Sequence, residues 1–446
     1  QIALSSGCEA DFRAAIESDL TYTKQAYHSI AQLYLLASGQ ATVHRALLRW
    51  CGEVSFRGGG YFKSLRQLYK AAEFRNDFRL LGTLAYQIEK QPAFFDHSPY
   101  RGLRLDGQWV RIAQEIKHPQ SRVGFSRQTK AYLTRRTWRN LYRKGQVGDP
   151  NYVPLAVAIL LSFSDADEKN TFSTTRYEYG RDANGNWYSN AIKTFFSPFA
   201  SWSVFNEILY RNSPRYRRAN GRHQWIYRDS HTALSPLPAE REEAFPELWD
   251  RQVAGLLHLL AESRSRVVHE FAVKAARANL AAVLPLIDAD FLSLLLSKEY
   301  KVSTQFGLEL ARQWYRADEP SIPLLQALLR CSLAEARQQG MEWVDDQKER
   351  FFQAADFIAP LLFSPWETVS EWLDHSLTAL TLPETVQTTT IARAIGRMNE
   401  ADQQSDATER RCLLQAGQLL EKHFPSLLYH ASFQLVQHLL SHPLAE

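Results

Sequence analysis

The amino-acid sequence predicts a mainly α-helical protein that joins a helical bundle to a repeated array of helix pairs and carries one small β-hairpin. Apolar residues recur at i, i+3 and i+4 through most of the chain, which is typical of amphipathic helices. A two-helix pattern repeats in the C-terminal half at a spacing of 35 residues. One stretch, 173–190, has the alternation of β-strands on either side of an Asn-Gly turn.

The composition is that of a folded protein, since 45% of the 446 residues are hydrophobic and 22% are charged. The four cysteines stand far apart without metal-ligand spacing, so neither a disulfide framework nor a zinc site is predicted, and no cofactor is implied. The longest apolar stretch, 153–163, is about half the roughly 20 residues that span a bilayer. We therefore expect a cytoplasmic protein without membrane contact. The chain begins with Gln1, which suggests a piece of a longer protein.

The first predicted region, 1–120, is helical. Residues 9–50 have the apolar spacing of two or three helices, and residues 62–90 that of two amphipathic helices joined near Asn76. Proline and glycine interrupt the segment 91–125, so we expect loops there around one short helix at 108–116.

The second predicted region, 121–240, is helical and basic and contains the hairpin. Its predicted elements are a helix at 129–144, a largely buried helix at 152–163, the hairpin at 173–190, and a loop at 210–246 with a short strand at 225–227. Leu133, Thr137 and Leu141 share one face of the first helix, so the arginines of that helix lie on the other face.

The third predicted region, 241–446, contains the repeat. The matching positions are Val267, Phe271, Val273 and Ala276 with Val302, Phe306, Leu308 and Ala311. Two helices per unit with apolar inner faces are typical of a HEAT-like α-solenoid, and a weaker third copy lies near 324–329. An accidental match within an ordinary bundle is the alternative. Further helices are predicted at 349–359, 366–380, 388–399, 408–421 and 425–440.

The strongest electrostatic feature is a basic block at 101–233, which has 22 Lys and Arg against 10 Asp and Glu. Clustered cations of this kind suit contacts with nucleic-acid phosphates, and the interleaved Tyr132, Trp138 and Tyr142 could stack on bases. The candidate binding residues are Arg122, Arg127, Lys130, Arg135, Arg136, Arg139, Arg143, Lys144, Arg215, Arg217, Arg218 and Arg222. The alternative is that these arginines pair with acidic side chains, which arginine does equally well.

No catalytic or metal-binding motif is present. The glycines at 58–60 precede a helix but lack the spacing of a phosphate-binding loop and an upstream strand. His423, His430 and His438 are seven and eight residues apart, so a helix would hold successive rings about 11 Å apart, too far for one metal ion. The sequence therefore assigns no catalytic residue.

Several segments resemble MolR-like bacterial proteins that carry WGR domains. They span roughly residues 60–315 and occur as KAAEFR at 70–75, LGTLAY at 81–86, AYLTRRTWRNL at 131–141, DPNYV at 149–153, FNEILYRNSPRY at 205–216, FPELW at 245–249 and VHEF at 268–271. The resemblance implies a large protein that combines helical repeats with a WGR module, which elsewhere is associated with nucleic acid. This chain has no Trp-Gly-Arg string, and the family supplies no catalytic residue to transfer.

Three hypotheses about function follow. The first is a non-enzymatic helical-repeat scaffold that binds nucleic acid or a protein partner, in a setting such as a bacterial stress or phage-defence assembly. The second is a module for protein–protein interaction alone, whose basic face docks on an acidic surface. The third is an enzyme of unrecognised type, or a subunit whose catalytic part lies outside this chain.

Overall fold

A computed structural model describes residues 39–96, 102–118, 121–219, 224–228, 235–400 and 407–429, together with Ala14, Ile30, Tyr34 and Leu35. Most of the predicted helical segment 9–50 and the end of the predicted helix 425–440 lie outside these residues. The chain divides into two compact units, Gln1–Leu280 and Ala281–Glu446, which we call unit 1 and unit 2. In the described part of the chain, no helix is long and apolar enough to cross a membrane.

Unit 1 is mainly helical, as predicted. Its helices are α1 (Ala41–Glu53), α2 (Gly59–Arg75), α3 (Phe78–Lys90), α4 (Ile112–Glu115), α5 (Arg127–Gln146), α6 (Tyr152–Leu160), α7 (Ser203–Leu209), α8 (Pro246–Arg251), α9 (Val253–Glu262) and α10 (Arg266–Arg277). Its strands are β1 (Gly102–Leu105), β2 (Gln108–Arg111), β3 (Phe172–Arg181), β4 (Trp187–Phe196), β5 (Tyr216–Arg218) and β6 (Trp225–Tyr227).

The predicted junction of two helices near Asn76 is confirmed. Asn76 ends α2 in the left-handed conformation with φ +54°, which asparagine tolerates better than most residues. Asp77 then begins α3, because its carboxylate accepts a hydrogen bond of 3.2 Å from the backbone N–H of Leu80. The cap on each side of the junction therefore fixes where the chain changes direction.

The core of unit 1 forms where α3 crosses α6. A Cβ atom at Gly82 would lie 2.6 Å from the carbonyl oxygen of Ala158, so only glycine allows the two backbones to approach this closely. Beside this crossing, the Tyr86 ring stacks on Trp202 at 5.4 Å and its hydroxyl donates a 2.9 Å hydrogen bond to the buried Asp167. Helix α6 is almost entirely buried, as the sequence predicts.

The β structure is more extensive than the single predicted hairpin. The expected short helix at 108–116 is wrong for its first half, because β2 pairs there with β1 in a two-stranded sheet and only α4 is helical. Asp106 and Gly107 both have positive φ, at +48° and +84°, which is the conformation of a tight hairpin turn. The predicted strand at 225–227 is confirmed as β6, whereas β5 was expected to be loop.

The predicted hairpin at 173–190 is confirmed and is longer than expected. Strands β3 and β4 pair antiparallel over ten residues each, and Gly185 closes the turn with φ +83°. Strands β6 and β5 extend it to a four-stranded sheet in the order β3-β4-β6-β5. Only its base is held in the core, where Phe172 stacks on the buried Phe196 at 4.4 Å. The remainder is a ribbon with solvent on both faces.

Unit 2 is helical throughout its described part. Its helices, beginning with one that straddles the division, are α11 (Leu280–Val283), α12 (Ala289–Leu296), α13 (Lys301–Trp314), α14 (Ile322–Arg330), α15 (Ala334–Asp345), α16 (Lys348–Phe351), α17 (Ala355–Leu361), α18 (Glu367–Ala379), α19 (Glu384–Glu400), α20 (Ala407–His423) and α21 (Pro425–Tyr429). The helix predicted at 349–359 is interrupted, since α16 ends at Phe351 and α17 begins at Ala355.

Consecutive helices of unit 2 pack as pairs, α12 with α13 and α14 with α15, and their first helices also contact each other. The two pairs use the same close approach. A Cβ at Gly307 would lie 3.1 Å from Cβ of Leu295, and a Cβ at Gly340 would lie 3.0 Å from Cβ of Leu328. Each first helix therefore packs its leucines directly on a glycine of the second.

Candidate nucleic-acid interface

Helix α5 carries seven of the eight candidate residues at 122–144, which we call the first cluster. Ser126 caps the helix by accepting a 3.1 Å hydrogen bond from the backbone N–H of Thr129. Leu133, Thr137 and Leu141 are buried, and the hydroxyls of Thr137 and Tyr69 are 2.9 Å apart across to α2. Because one face of α5 is held in the core, its arginine-bearing face lies at the surface, as predicted.

Three arginines on that face are exposed and form no salt bridge within the described part of the chain. Arg135, Arg139 and Arg143 follow at four-residue intervals, which places neighbouring side chains about 6 Å apart along the helix. The Nε of Arg135 donates only to the carbonyl of Ala131 at 3.1 Å, within its own helix. Arg127, at the start of α5, is 76% exposed in its side chain and 3.8 Å from Asp96. The guanidinium groups of Arg135, Arg139 and Arg143 are therefore accessible to an external anion.

Four other candidates of the first cluster are held by neighbouring groups. Arg136 donates two hydrogen bonds to Glu73, at 2.8 and 2.6 Å, and Lys144 donates one to Asp149 at 2.9 Å. Lys130 donates to the backbone carbonyls of residues 89 and 91, and burial lowers its pKa. Arg122 bonds Glu115 and Asp106. The bonds from Arg122 lower the pKa of Glu115. For these residues, pairing with acidic or carbonyl groups is what the structure shows.

Two members of the second cluster, which consists of Arg211, Arg215, Arg217, Arg218 and Arg222, have their guanidinium groups over aromatic side chains of α5. Arg211 lies 4.0 Å from the Tyr142 ring centroid, and Arg218 lies 5.1 Å from that of Trp138. Both arginines also pair with Glu207, at 2.6 and 3.5 Å. These two aromatic rings therefore face arginines of the same chain.

The remaining members of the second cluster are placed differently. Arg215 is only 8% exposed and forms a bidentate pair with the equally enclosed Glu242, at 3.0 and 2.8 Å. Burial opposes the charge of Arg215, but its bonds to Glu242 outweigh this and raise its pKa. Arg217 is half-buried and engaged within the chain, and Arg222 lies outside the described residues.

A groove beside α5 adds cations that the sequence did not single out as binding residues. It has a volume of about 470 Å³, and Arg66 and Lys70 of α2 line it opposite Tyr132 and Arg136. Arg66 and Lys70 are exposed and have no carboxylate partner among the described residues. They stand four residues apart on the polar face of α2, a signal that was visible in the sequence as a basic i, i+4 pair.

We define the α2–α5 surface as Arg66, Lys70, Arg135, Arg139 and Arg143. At 100° per residue, positions 135, 136, 139 and 143 fall within an arc of about 100° on α5, and Arg136 of that arc lines the groove. The unpaired arginines therefore continue from the groove along α5. Together with Arg66 and Lys70 they form one positively charged face that can contact several anionic groups at once.

The described residues contain no group of three or more side chains able to hold a metal ion. Cys51, Cys331 and Cys412 are buried free thiols, and burial raises the pKa of Cys51 and of Cys331. Comparison with known proteins gives no match to a family model, a curated protein or a solved structure. The resemblance to MolR-like proteins therefore stays a prediction.

Proposed function

We propose that the chain binds nucleic acid through the α2–α5 surface, whose cations contact successive backbone phosphates. The observation that supports this most is the contrast within the basic block. Most of its candidates pair with carboxylates or backbone carbonyls elsewhere in unit 1, whereas Arg135, Arg139 and Arg143 are exposed and form no salt bridge in the described part of the chain. Arg66 and Lys70 of α2, outside the block, share both properties. Such a face recognises charge and spacing rather than base sequence.

We further propose that helix pairs α9/α10, α12/α13 and α14/α15 are HEAT-like repeats. A leucine of each first helix recurs as Leu260, Leu295 and Leu328, all buried. The small residue of each second helix recurs as Ala272, Gly307 and Gly340. These equivalences support the proposal because a leucine and a small residue recur at matching positions in all three pairs, and in α12/α13 and α14/α15 the leucine packs on the glycine.

The proposal is tested by fluorescence anisotropy with a labelled 20-base-pair DNA duplex at about 50 and 200 mM salt. Five phosphate contacts predict a slope of about −4.5 in log affinity against log salt, hence a several-hundredfold loss across this range. The triple variant Arg135→Glu/Arg139→Glu/Arg143→Glu should bind at least about a hundredfold more weakly at the lower salt and should lower the slope by about 3.

A matched control reverses three exposed arginines of unit 1 outside the α2–α5 surface, Arg45→Glu/Arg57→Glu/Arg79→Glu, with the same change in net charge. This variant should keep most of the affinity of the wild type. Equal losses in the two triple variants would show that net charge, and not this face, sets the affinity. Absence of duplex binding by the wild type at the lower salt would overturn the proposal.

The second candidate function is a protein-interaction module. It is favoured by the internal ion pairs, because they leave only the five cations of the α2–α5 surface for phosphates, whereas many DNA-binding proteins make six to ten phosphate contacts. An acidic protein surface would then dock on the same face. Native mass spectrometry separates the two functions, since this one requires a stoichiometric protein complex that persists after nuclease treatment.

A further inference from the structure

The two faces of the β3–β4 ribbon differ in chemistry because side chains alternate along each strand. We call face A the side that carries residues 172, 174, 176, 178 and 180, with their partners 196, 194, 192, 190 and 188. Face B is the opposite side. It consists of Ser173, Thr175, Tyr177, Tyr179 and Arg181 with their partners Phe195, Lys193, Ala191, Ser189 and Trp187.

Face B exposes large aromatic side chains that the fold does not use. Tyr177, Tyr179 and Trp187 are 56%, 72% and 70% exposed, far from the burial usual for such side chains. The Tyr177 and Tyr179 rings lie 6.5 Å apart at an interplanar angle of 30°, so both present their faces in similar orientations. A cluster of exposed aromatic rings on one side of a ribbon is typical of a binding surface.

The charge of face B identifies the kind of ligand. Arg181 lies 4.8 Å from the Trp187 ring centroid, and Lys193 lies 5.0 Å from that of Phe195. None of the ten residues of face B, all of them described, is acidic. On face A, by contrast, Arg176 lies 3.7 Å from the acidic Glu178, and the two form an exposed ion pair. Face B therefore combines aromatic rings with uncompensated positive charge, which suits an anionic ligand with flat aromatic groups.

We propose that face B binds single-stranded nucleic acid, whose bases stack on Tyr177, Tyr179 and Trp187 while Arg181 and Lys193 contact the phosphates. Neighbouring side chains on one face of a strand are about 7 Å apart. Bases in a duplex are stacked about 3.4 Å apart and paired, so only an unpaired, extended strand can place consecutive bases on successive rings. This inference deepens the proposed function and rests on it for the class of ligand.

The test compares a labelled 20-nucleotide oligothymidine with the 20-base-pair duplex in anisotropy titrations of the intact chain. Stacking contributes roughly fivefold or more in affinity per base. The variant Tyr177→Ala/Tyr179→Ala/Trp187→Ala should therefore bind the single strand at least about a hundredfold more weakly, while its duplex affinity changes by less than about threefold. Ultraviolet cross-linking with mass spectrometry should locate the oligothymidine on peptides that contain these three residues.

The control is Tyr188→Ala, on face A of the same ribbon. It removes an aromatic side chain that is 51% exposed and packs over Gly180. It should leave single-strand binding unchanged. An equal loss in this variant, or cross-links confined to other segments, would overturn the proposal. Full single-strand affinity in the triple variant would also overturn the proposal, even if the duplex still binds the α2–α5 surface. Dimerisation through the edge strand β3 without any single-strand binding would assign the ribbon to protein contact instead.

Discussion

The substitution Arg215→Met is expected to lower the free energy of unfolding of unit 1 by about 3–5 kcal/mol. Removing one partner of a buried ion pair leaves the other charge without compensation, and Glu242 is only 9% exposed. Ser213 also donates to Glu242, but a single hydroxyl cannot replace the two bonds of the guanidinium group. Urea unfolding followed by hydrogen-exchange mass spectrometry reads the peptides of unit 1 separately and gives this loss.

Two further variants sharpen that measurement. Arg215→Met/Glu242→Met removes both charges together and should recover most of the loss, because an apolar pair of similar size carries no desolvation penalty. Arg139→Met, on the α2–α5 surface, should change stability by less than about 0.5 kcal/mol. If Arg215→Met kept full stability and weakened nucleic-acid binding, Arg215 would be a binding residue and not a structural one.

The stability of unit 1 is expected to fall as the pH rises from about 5 to 8, because of Glu89. Both carboxylate oxygens lie near the backbone N–H of Val204 at the start of α7, at 3.3 and 3.2 Å. Burial raises the pKa of Glu89 to about 8, and the backbone hydrogen bonds and Lys130 only partly oppose this. The folded chain thus binds a proton that the unfolded chain releases above about pH 4.5. Glu89 therefore contributes its full share to the free energy of unfolding below about pH 4.5. This contribution is lost as the pH rises through 8, by at most about 1.4 kcal/mol per pH unit.

The substitution Glu89→Gln should flatten this dependence, since its amide oxygen still accepts the bond from Val204 and has no charge to titrate. The control is Glu115→Gln, because bonding to Arg122 lowers the pKa of Glu115 and moves its titration below the window. Urea midpoints at half-unit steps between pH 5 and 8 provide the measurement. A wild-type midpoint that stays constant or rises across this range would contradict the assignment.

The helical elements near α2, α3, α5 and α6 were predictable because local signals agree. Apolar spacing, Asn76 as a stop signal and the Gly-Asp-Pro sequence at 148–150 all concern residues within a few positions of one another. The hairpin of β1 and β2 was also visible in principle, since Asp106–Gly107 is a strong turn signal. Its strands are only four residues long, and the neighbouring glycines and prolines led to the prediction of loops in this segment.

The charges of the basic block were predictable, but their partners were not. Glu73 and Arg136 are 63 residues apart in sequence, and Arg215 and Glu242 are 27 apart, so their pairing depends on how helices and strands pack. Sequence alone gives no reason why Arg136 should be paired when Arg135 is not. The distinction between a free and a neutralised arginine therefore requires the fold, as does the contribution of α2 to the same face.

The ribbon of β3 and β4 also has a consequence for how the sequence can change over time. Because both its faces are in solvent, most of its positions can mutate with little effect on the stability of unit 1. Selection on these positions then comes mainly from whatever the ribbon binds. Among descendants of this sequence, the exposed positions of face A should drift, while positions 177, 179 and 187 should retain aromatic residues for as long as face B has a ligand.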